Sequence, residues 1–145
     1  MKYLLAVVGV LLVGGAWYAF DSGMIPTPVG TEMTWQNASA NDIIIDQPLP
    51  GASVARSFAL TGSARGQWYF EASFPIEVVD VSGNQLFENF VQAQGEWMTT
   101  EFVPFSASIT IPGNYTGPAK LILHRDNASG LPEHDKSVSI PIVIE

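Results

Sequence analysis

The stretch FVPFSASITI at residues 102–111 alternates apolar and small polar side chains. From Phe105 to Ile111 every second residue is apolar, and the residues between them are serine or threonine. Successive side chains of a strand point to opposite faces of a sheet, so this pattern predicts a strand with one buried and one solvated face. A slip of one residue would turn every apolar side chain to the wrong face, and the register is therefore well specified.

Short stretches on both sides of this segment also have the composition of strands and are separated by turn residues. They are Ile43–Asp46, Ser57–Ser63, Pro75–Val81, Gln85–Ala93, Ala119–His124 and Ser137–Ile144. Ser82-Gly-Asn84 predicts a hairpin turn, because Gly and Asn tolerate positive φ. Pro48 and Pro141 predict edge positions for the first and last strands, since proline cannot donate to a central ladder. About seven strands without a helical stretch between them predict an all-β, immunoglobulin-like antiparallel β-sandwich.

Length, cysteine content and charge narrow the class of protein further. A chain of 145 residues has room for one domain and an appendage. There is no cysteine, so neither disulfides nor thiolate metal ligands are available. With 6 Lys and Arg against 14 Asp and Glu, the net charge is −8, which repels phosphate backbones. We therefore expect no nucleic-acid partner and no cofactor.

The first twenty residues have the composition of a membrane anchor. After Lys2, positions 3–20 carry no charge, and as a helix they would span roughly 27 Å, close to the hydrocarbon thickness of a bilayer. Trp17 and Tyr18 lie near the end of this run, where aromatic rings favour the membrane interface. The sequence predicts one N-terminal hydrophobic helix over residues 1–20, with a single span and the remaining chain outside the cytoplasm.

A cleaved signal peptide is the alternative for the same segment, because Gly14 and Ala16 could precede a cleavage site. The protein would then be secreted. In both cases we expect the rest of the chain to work outside the cytoplasm. Residues 21–41 contain Pro26, Pro28 and scattered polar residues, which predicts a flexible tether ahead of the domain at 42–145.

Four segments together resemble one known family. They are IIIDQPLPGASV at 43–54, LTGSARGQWYFEASFPIEVVDVSG at 60–83, EWMTTEFVPFSASITI at 96–111 and LHRDNASGLPEHDKSVSIPI at 123–142. In this order they resemble the immunoglobulin-like domain of bacterial spore germination, a module associated with germination-protein M-type domains. The resemblance implies a sandwich fold in extracytoplasmic bacterial proteins, with a binding or scaffold role and no established enzymatic activity.

Glu71 lies inside the aromatic run formed by Trp68, Tyr69 and Phe70, where an unpaired carboxylate would be costly to bury. Arg65 or Arg125 could supply a bidentate partner. We therefore expect Glu71 to join one of these arginines in a structural clasp that ties two segments of the domain together.

Trp68, Tyr69 and Trp97 are candidates for a ligand surface. The chain has more aromatic residues than a small core needs, and an exposed ring beside polar groups can stack on a sugar or contact a protein. The alternative for each of them is ordinary core packing.

The loop that starts at Asp126 and Asn127 is rich in ionisable and polar residues, and the ionisable His124 lies just before it. If it folds over Glu71, carboxylates and imidazoles could meet around a calcium ion. The spacing does not match an EF-hand loop, however. The favoured interpretation is a tight turn capped by its own Asx and Ser side chains, without a metal.

The sequence contains no nucleophile elbow, no Cys–His pair and no phosphate-binding glycine loop. We therefore expect no enzymatic activity. The leading hypothesis is a non-catalytic, membrane-tethered interaction module that binds a protein or a cell-wall glycan. The alternatives are a structural component of an envelope complex without its own ligand and, less favoured, a small hydrolase.

Overall fold

The computed structural model describes residues 30–145, which form a two-layered β-sandwich of nine strands. In chain order the strands are β1 Thr34–Gln36, β2 Ile43–Gln47, β3 Ala52–Val54, β4 Ser57–Arg65, β5 Ser73–Asp80, β6 Gln85–Gln92, β7 Phe102–Thr110, β8 Gly117–His124 and β9 Ser137–Ile144. Short 3₁₀ helices occur at Gly66–Trp68 and Pro132–His134. The anchor or signal helix predicted over residues 1–20 lies outside the described residues.

The two sheets differ in size. The larger sheet has the order β1-β9-β8-β5-β6, with β3 paired to β9 as well, and the smaller sheet has the order β2-β4-β7. All pairs are antiparallel except β3 with β9, which is parallel. The chain changes sheet at every connection except those between β5 and β6 and between β8 and β9, which stay within the large sheet. These crossings place the ends of strands from both layers close together.

The strands predicted from the sequence are all present, but two further strands were not predicted. β1 lies in the segment predicted as a tether, and its Trp35 pairs with Val138 of β9. β3 has three residues directly after the turn at Gly51. Both strands are too short for a period of two to emerge, so the predicted number of seven is corrected to nine.

The predicted edge position of β9 is wrong. β9 pairs with β8 along one side, and on its other side β1 covers the first half and β3 covers the second half. Pro141 lies in the gap between these two short strands, and its carbonyl accepts a hydrogen bond from the Gly51 N–H. Because the nitrogen and carbonyl of a strand residue point to the same side, the missing donor of Pro141 faces this gap. The proline therefore costs the ladder no hydrogen bond.

The core lies between the two sheets and consists mainly of aliphatic side chains that recur at every second position. The predicted inward face of β7 is confirmed, because Phe105 and Ile109 are buried while Ser106 and Ser108 are exposed. The other strands contribute Ile43, Leu60, Ile76, Val78, Leu121, Leu123, Val138, Ile140, Ile142 and Ile144. Their burial supplies most of the stabilisation of a domain that has no disulfide.

A group of four aromatic rings fills one end of the core. Phe74 contacts Trp68, Tyr69 and Phe105 edge to face, with ring centroids 6.5, 5.3 and 5.1 Å apart. Such contacts add about 0.5–1.5 kcal/mol each beyond the burial of area. The Tyr69 hydroxyl donates to the Val103 carbonyl at 2.8 Å, and burial raises the pKa of this phenol above its usual value. Trp68 and Tyr69 are thus fixed core residues.

Within residues 30–145 there is no helix with the length and apolar character needed to cross a membrane.

We expect Gly62→Ala to destabilise the domain by about 1–3 kcal/mol or more. A Cβ at this position would collide with the Ile44 carbonyl of the neighbouring strand and with the Phe105 ring. The measurement is thermal unfolding followed by circular dichroism. Gly30→Ala is the matched control, since the nearest atom to its Cβ would be Pro141 Cγ at 4.0 Å. Equal melting temperatures of the two variants would contradict the close approach at Gly62.

We expect Trp68→Ala to cost about 3–5 kcal/mol, as is typical when a large aromatic side chain is removed from a core. Trp68 is 2% exposed. Chemical denaturation at equilibrium measures the loss. A loss below roughly 1 kcal/mol would place the ring at the surface instead.

Candidate functional site

A cavity of about 300 Å³ opens at one end of the sandwich. Its lining residues are Asp42, Arg65, Gln67, Trp68, Arg125 and Lys136. Three of these side chains are cations and one is a carboxylate, in a chain whose net charge is −8. The local charge at the cavity is therefore opposite to that of the whole protein.

The charged residues of the cavity come from strand ends in both sheets. Asp42 precedes β2 and Arg65 ends β4, and the Arg65 N–H donates to the Asp42 carbonyl at 2.8 Å. Arg125 follows β8 and Lys136 precedes β9, and the Arg125 N–H donates to the Lys136 carbonyl at 2.9 Å. The β2–β4 pair of the small sheet and the β8–β9 pair of the large sheet thus both end at the cavity.

The 3₁₀ helix Gly66–Trp68 connects these two strand pairs. A Cβ on Gly66 would collide with the carbonyls of Trp97 and Thr99, so only glycine allows this close approach of the 97–99 loop. The turn drives the Trp68 ring into the core. It also leaves the Trp68 carbonyl pointing at the large sheet, where it accepts a hydrogen bond from the Asp126 N–H at 3.0 Å.

Both arginines of the cavity are held by backbone carbonyls. Arg65 donates from Nε to Asn41 at 3.0 Å and from Nη1 to Thr100 at 3.3 Å, and its guanidinium lies 3.9 Å from the centroid of the Phe102 ring. Arg125 donates from Nε to Gln67 at 3.0 Å and from Nη1 to His134 at 3.4 Å.

Neither guanidinium forms an ion pair with a carboxylate of residues 30–145. Within that range, the Nη2 groups of Arg65 and Arg125 also have no hydrogen-bond acceptor. Lys136 is closer to a partner, since its Nζ lies 3.7 Å from Asp42 Oδ1 across the two sheets. The cavity is therefore lined by two positioned cations whose charge is not neutralised by a carboxylate.

The indole nitrogen of Trp68 has no hydrogen-bond acceptor among residues 30–145. Of the described residues, this Nε1 is the one buried side-chain polar atom without a partner. An unsatisfied buried donor costs about 1–3 kcal/mol. Trp68 also lines the cavity, which places this unsatisfied donor in one of the residues of the cavity wall.

The predicted clasp between Glu71 and an arginine does not form. Glu71 is exposed, and both Arg65 and Arg125 donate to backbone carbonyls instead. Glu71 and Ala72 occupy the two central positions of a tight hairpin turn, with φ of 50° and 66°. Phe70 and Ser73 exchange backbone hydrogen bonds of 2.9 and 3.1 Å across this turn. The turn carries the carboxylate away from the core, which removes the cost of burial that motivated the prediction.

Asp126 is the charged neighbour of Glu71 in the structure. Burial raises the pKa of the Asp126 carboxyl above its usual value, and repulsion by the Glu71 carboxylate adds to the rise. Because the folded state holds this proton more tightly, ionisation of Asp126 lowers stability as the pH rises through its titration range.

The loop after Asp126 is closed by its own side chains, as in the capped-turn interpretation. Asn127 Nδ2 donates to the Leu131 carbonyl and to Asp135 Oδ1, both at 2.8 Å. Ser129 Oγ donates to Asn127 Oδ1 and lies 3.0 Å from His134 Nδ1. A hydroxyl has one proton, so His134 Nδ1 must be the donor to Ser129. This imidazole nitrogen is then not a base for the serine.

The three aromatic candidates for a ligand surface have different positions. Trp68 and Tyr69 are buried, and Trp97 is partly buried against the core. The sequence expectation of an exposed ring at these positions is therefore wrong for Trp68 and Tyr69. The exposed aromatic side chains of the described domain are instead Phe70 and Phe90, at 45% and 57% of their full accessibility.

No group of three or more His, Cys, Asp or Glu side chains that could hold a metal ion occurs between residues 30 and 145. Of the residues singled out from the sequence, the structure brings Arg65, Trp68 and Arg125 together in the cavity. Tyr69 and Trp97 pack elsewhere in the core, and the Asp126 N–H donates to the carbonyl of Trp68, a residue of the cavity wall.

Asp42, Gln67 and Lys136 were not predicted to belong to a site. Asp42 and Lys136 each directly precede a predicted strand, and this position is the signal that could have marked them. Which strand ends meet depends on the order of strands in both sheets, however, and local sequence patterns do not determine that order.

We expect Glu71→Gln to lower the pKa of Asp126 while leaving it above the usual value, because burial, the larger cause, remains. The variant should melt at a slightly higher temperature than the parent at neutral pH and at the same temperature in strong acid, where Asp126 is protonated. Carbon-detected NMR titration of Asp126 measures the first effect. Glu88→Gln on the outer face of β6 is the control. A lower melting temperature for Glu71→Gln at neutral pH would instead favour a clasp.

Comparisons with known proteins place this chain in a family. The family described as the immunoglobulin-like domain of bacterial spore germination matches residues 42–130. Among curated proteins, none matches the chain. One solved structure that is similar is CopC from Methylosinus trichosporium OB3b, with 15% identity, a TM-score of 0.43 and coverage of 71% of this chain and 93% of that one. The family match spans more than half of the sequence, and the chain therefore belongs to the immunoglobulin-like domains of bacterial spore germination.

Proposed function

We propose that this protein is a non-catalytic binding module that works outside the cytoplasm and is tethered to the bacterial membrane through residues 1–20. Its sandwich presents the cavity end to a protein or to a cell-wall ligand. The proposal extends the family assignment, which describes a domain type and names no ligand.

The single observation that carries the proposal is the cavity between Arg65 and Arg125. Both guanidinium groups are partly exposed and fixed by backbone carbonyls, and neither has a carboxylate partner within residues 30–145, so their charge is available to a ligand. Arranged around an open cavity of about 300 Å³, such groups are suited to bind a polar ligand.

Two observations favour binding over the alternatives. A purely structural component would have no need to keep the Trp68 indole N–H without an acceptor beside this cavity. A hydrolase would need a nucleophile in contact with a base that accepts its proton. The contact between Ser129 and His134 instead belongs to the hydrogen bonds that close a turn, in which the serine proton goes to Asn127.

Cosedimentation of the full-length chain in detergent with purified peptidoglycan tests the proposal. We expect the protein to pellet with the cell wall, and Arg125→Gln to reduce the bound fraction about tenfold, as the loss of a charged hydrogen bond would.

Arg56→Gln is the matched control for this experiment. Arg56 also donates to two backbone carbonyls, those of Ile111 and Tyr115, but it precedes β4 whereas Arg65 ends that strand. The two ends are roughly 30 Å apart. Equal losses for Arg56→Gln and Arg125→Gln would mean that the cavity is not the binding site. No binding by the parent chain to the cell wall, together with no protein captured by cross-linking in membranes, would favour the structural alternative.

A further inference from the structure

The positive charge of this domain is concentrated at one place. Three of the chain's six Lys and Arg residues, namely Arg65, Arg125 and Lys136, line the cavity. Fourteen acidic residues give the protein a strong negative charge overall, so long-range attraction of anions is not available. An anion would be held here only by direct contact, which selects for a small ligand group with well-placed oxygens.

We propose that the cavity binds the free carboxylate at the end of a peptide, and this inference rests on the proposed binding function. Arginine has a planar fork of donors that matches the two oxygens of a carboxylate. In Arg65 and Arg125, two donors of each guanidinium are engaged by backbone carbonyls, which fixes the side chain without neutralising it. The Nη2 groups have no acceptor within residues 30–145 and remain for the ligand.

The Trp68 indole supplies an independent argument for an acceptor in this cavity. Its Nε1 is buried and has no acceptor in the part of the chain that the structure describes, and Trp68, which is 2% exposed, belongs to the cavity wall. An N–H group is a donor only, so the missing partner must be an oxygen or another acceptor. A carboxylate supplies both the negative charge that suits the two arginines and the acceptor atoms that suit this N–H group.

Asp42 favours a carboxylate over a phosphate. Its carboxylate lines the cavity and lies 3.7 Å from Lys136, so part of the positive charge is already balanced. Asp42 would repel a dianion about twice as strongly as a monoanion, so a monoanion is easier to hold between the two arginines. The cavity volume of about 300 Å³ is at the lower limit for small-molecule sites, and it admits the end of a chain with small side chains.

The test uses the full-length chain in detergent micelles and the probe N-acetyl-alanyl-alanine, with the same dipeptide carrying a C-terminal amide as its control. The readout is the Nε1–H signal of Trp68 in a nitrogen–proton NMR spectrum. We expect the acid to shift this signal with saturation, and the amide to bind about tenfold more weakly or not at all, because it lacks the charge. The L,L and D,D forms of the acid are compared, since a protein end carries the first and cell-wall peptides carry the second.

Variants separate the cavity from the rest of the fold. Arg125→Gln and Arg65→Lys, which removes the fork but keeps the charge, should each weaken the acid about tenfold, while Arg56→Gln should leave it unchanged. Trp68→Phe keeps a core ring but lacks the indole signal, so its binding is followed by the backbone N–H signals of Arg65 and Arg125; it should weaken the acid several-fold. Each variant is used only after its melting curve shows a folded domain, and Arg65→Lys serves as the decisive variant if Trp68→Phe does not fold.

Equal affinity for acid and amide, an acid affinity unaffected by Arg125→Gln and Arg65→Lys, or tighter binding of inorganic phosphate than of the acid would each overturn the carboxylate inference. The proposed function is judged separately by cosedimentation with peptidoglycan. Wall binding without binding of the acid would reject the carboxylate inference alone. Binding of the acid without wall binding would support the carboxylate inference and point to a protein end as the source.

Discussion

The burial of the Trp68 ring is the constraint on which the rest of the cavity depends. To bring the indole beside Phe74, the chain must leave β4 in a tight 3₁₀ turn that presses against the 97–99 loop, and only glycine fits at position 66. The same turn exposes the carbonyls of Gln67 and Trp68 toward the large sheet. There they accept hydrogen bonds from Arg125 and from the Asp126 N–H. One buried side chain thus positions both layers at this end of the sandwich.

The cations of the cavity show how a strongly acidic domain can keep a basic site. Arg65 and Arg125 obtain their fixed geometry from backbone carbonyls, which carry partial charge only, and Arg65 also lies over the Phe102 ring. Carbonyl dipoles orient a guanidinium without cancelling its charge. A carboxylate partner would hold the side chain equally well, but it would leave nothing for a ligand.

Much of the fold follows from local sequence patterns, whereas the cavity does not. The alternation from Phe105 to Ile111 specifies a strand and its inward face, because burial of one face enforces a period of two. β1 and β3 have three residues each, too few for such a period, and they exist only because β9 offers them an unpaired side. The edge position predicted from Pro141 was wrong because β1 and β3 both pair with β9. The gap between these two short strands accommodates a residue without an N–H donor.

The candidate site was partly predicted, and the error at Glu71 has a physical origin. Arg65 and Arg125 were singled out because a carboxylate within an aromatic run needs a cation, and Trp68 was singled out as a candidate ring for a ligand surface. The chain instead turns at Glu71 and Ala72 with positive φ, a conformation that the residue types at these positions do not signal. Asp42 and Lys136 join the site through pairing across and between sheets. No local sequence pattern predicts such pairing.

β1 runs antiparallel to β9, and its last residue, Gln36, pairs with Ser137 beside the cavity end. The polypeptide therefore enters the domain travelling toward the cavity. A pulling force between the N-terminal side and a ligand held in the cavity would act along the strand axes. Tension along the strands loads all hydrogen bonds between β1 and β9 at the same time, so that they share the force. A force perpendicular to the strands would instead break such bonds one after another. The β1–β9 pairing thus has the geometry that resists tension applied along the strands.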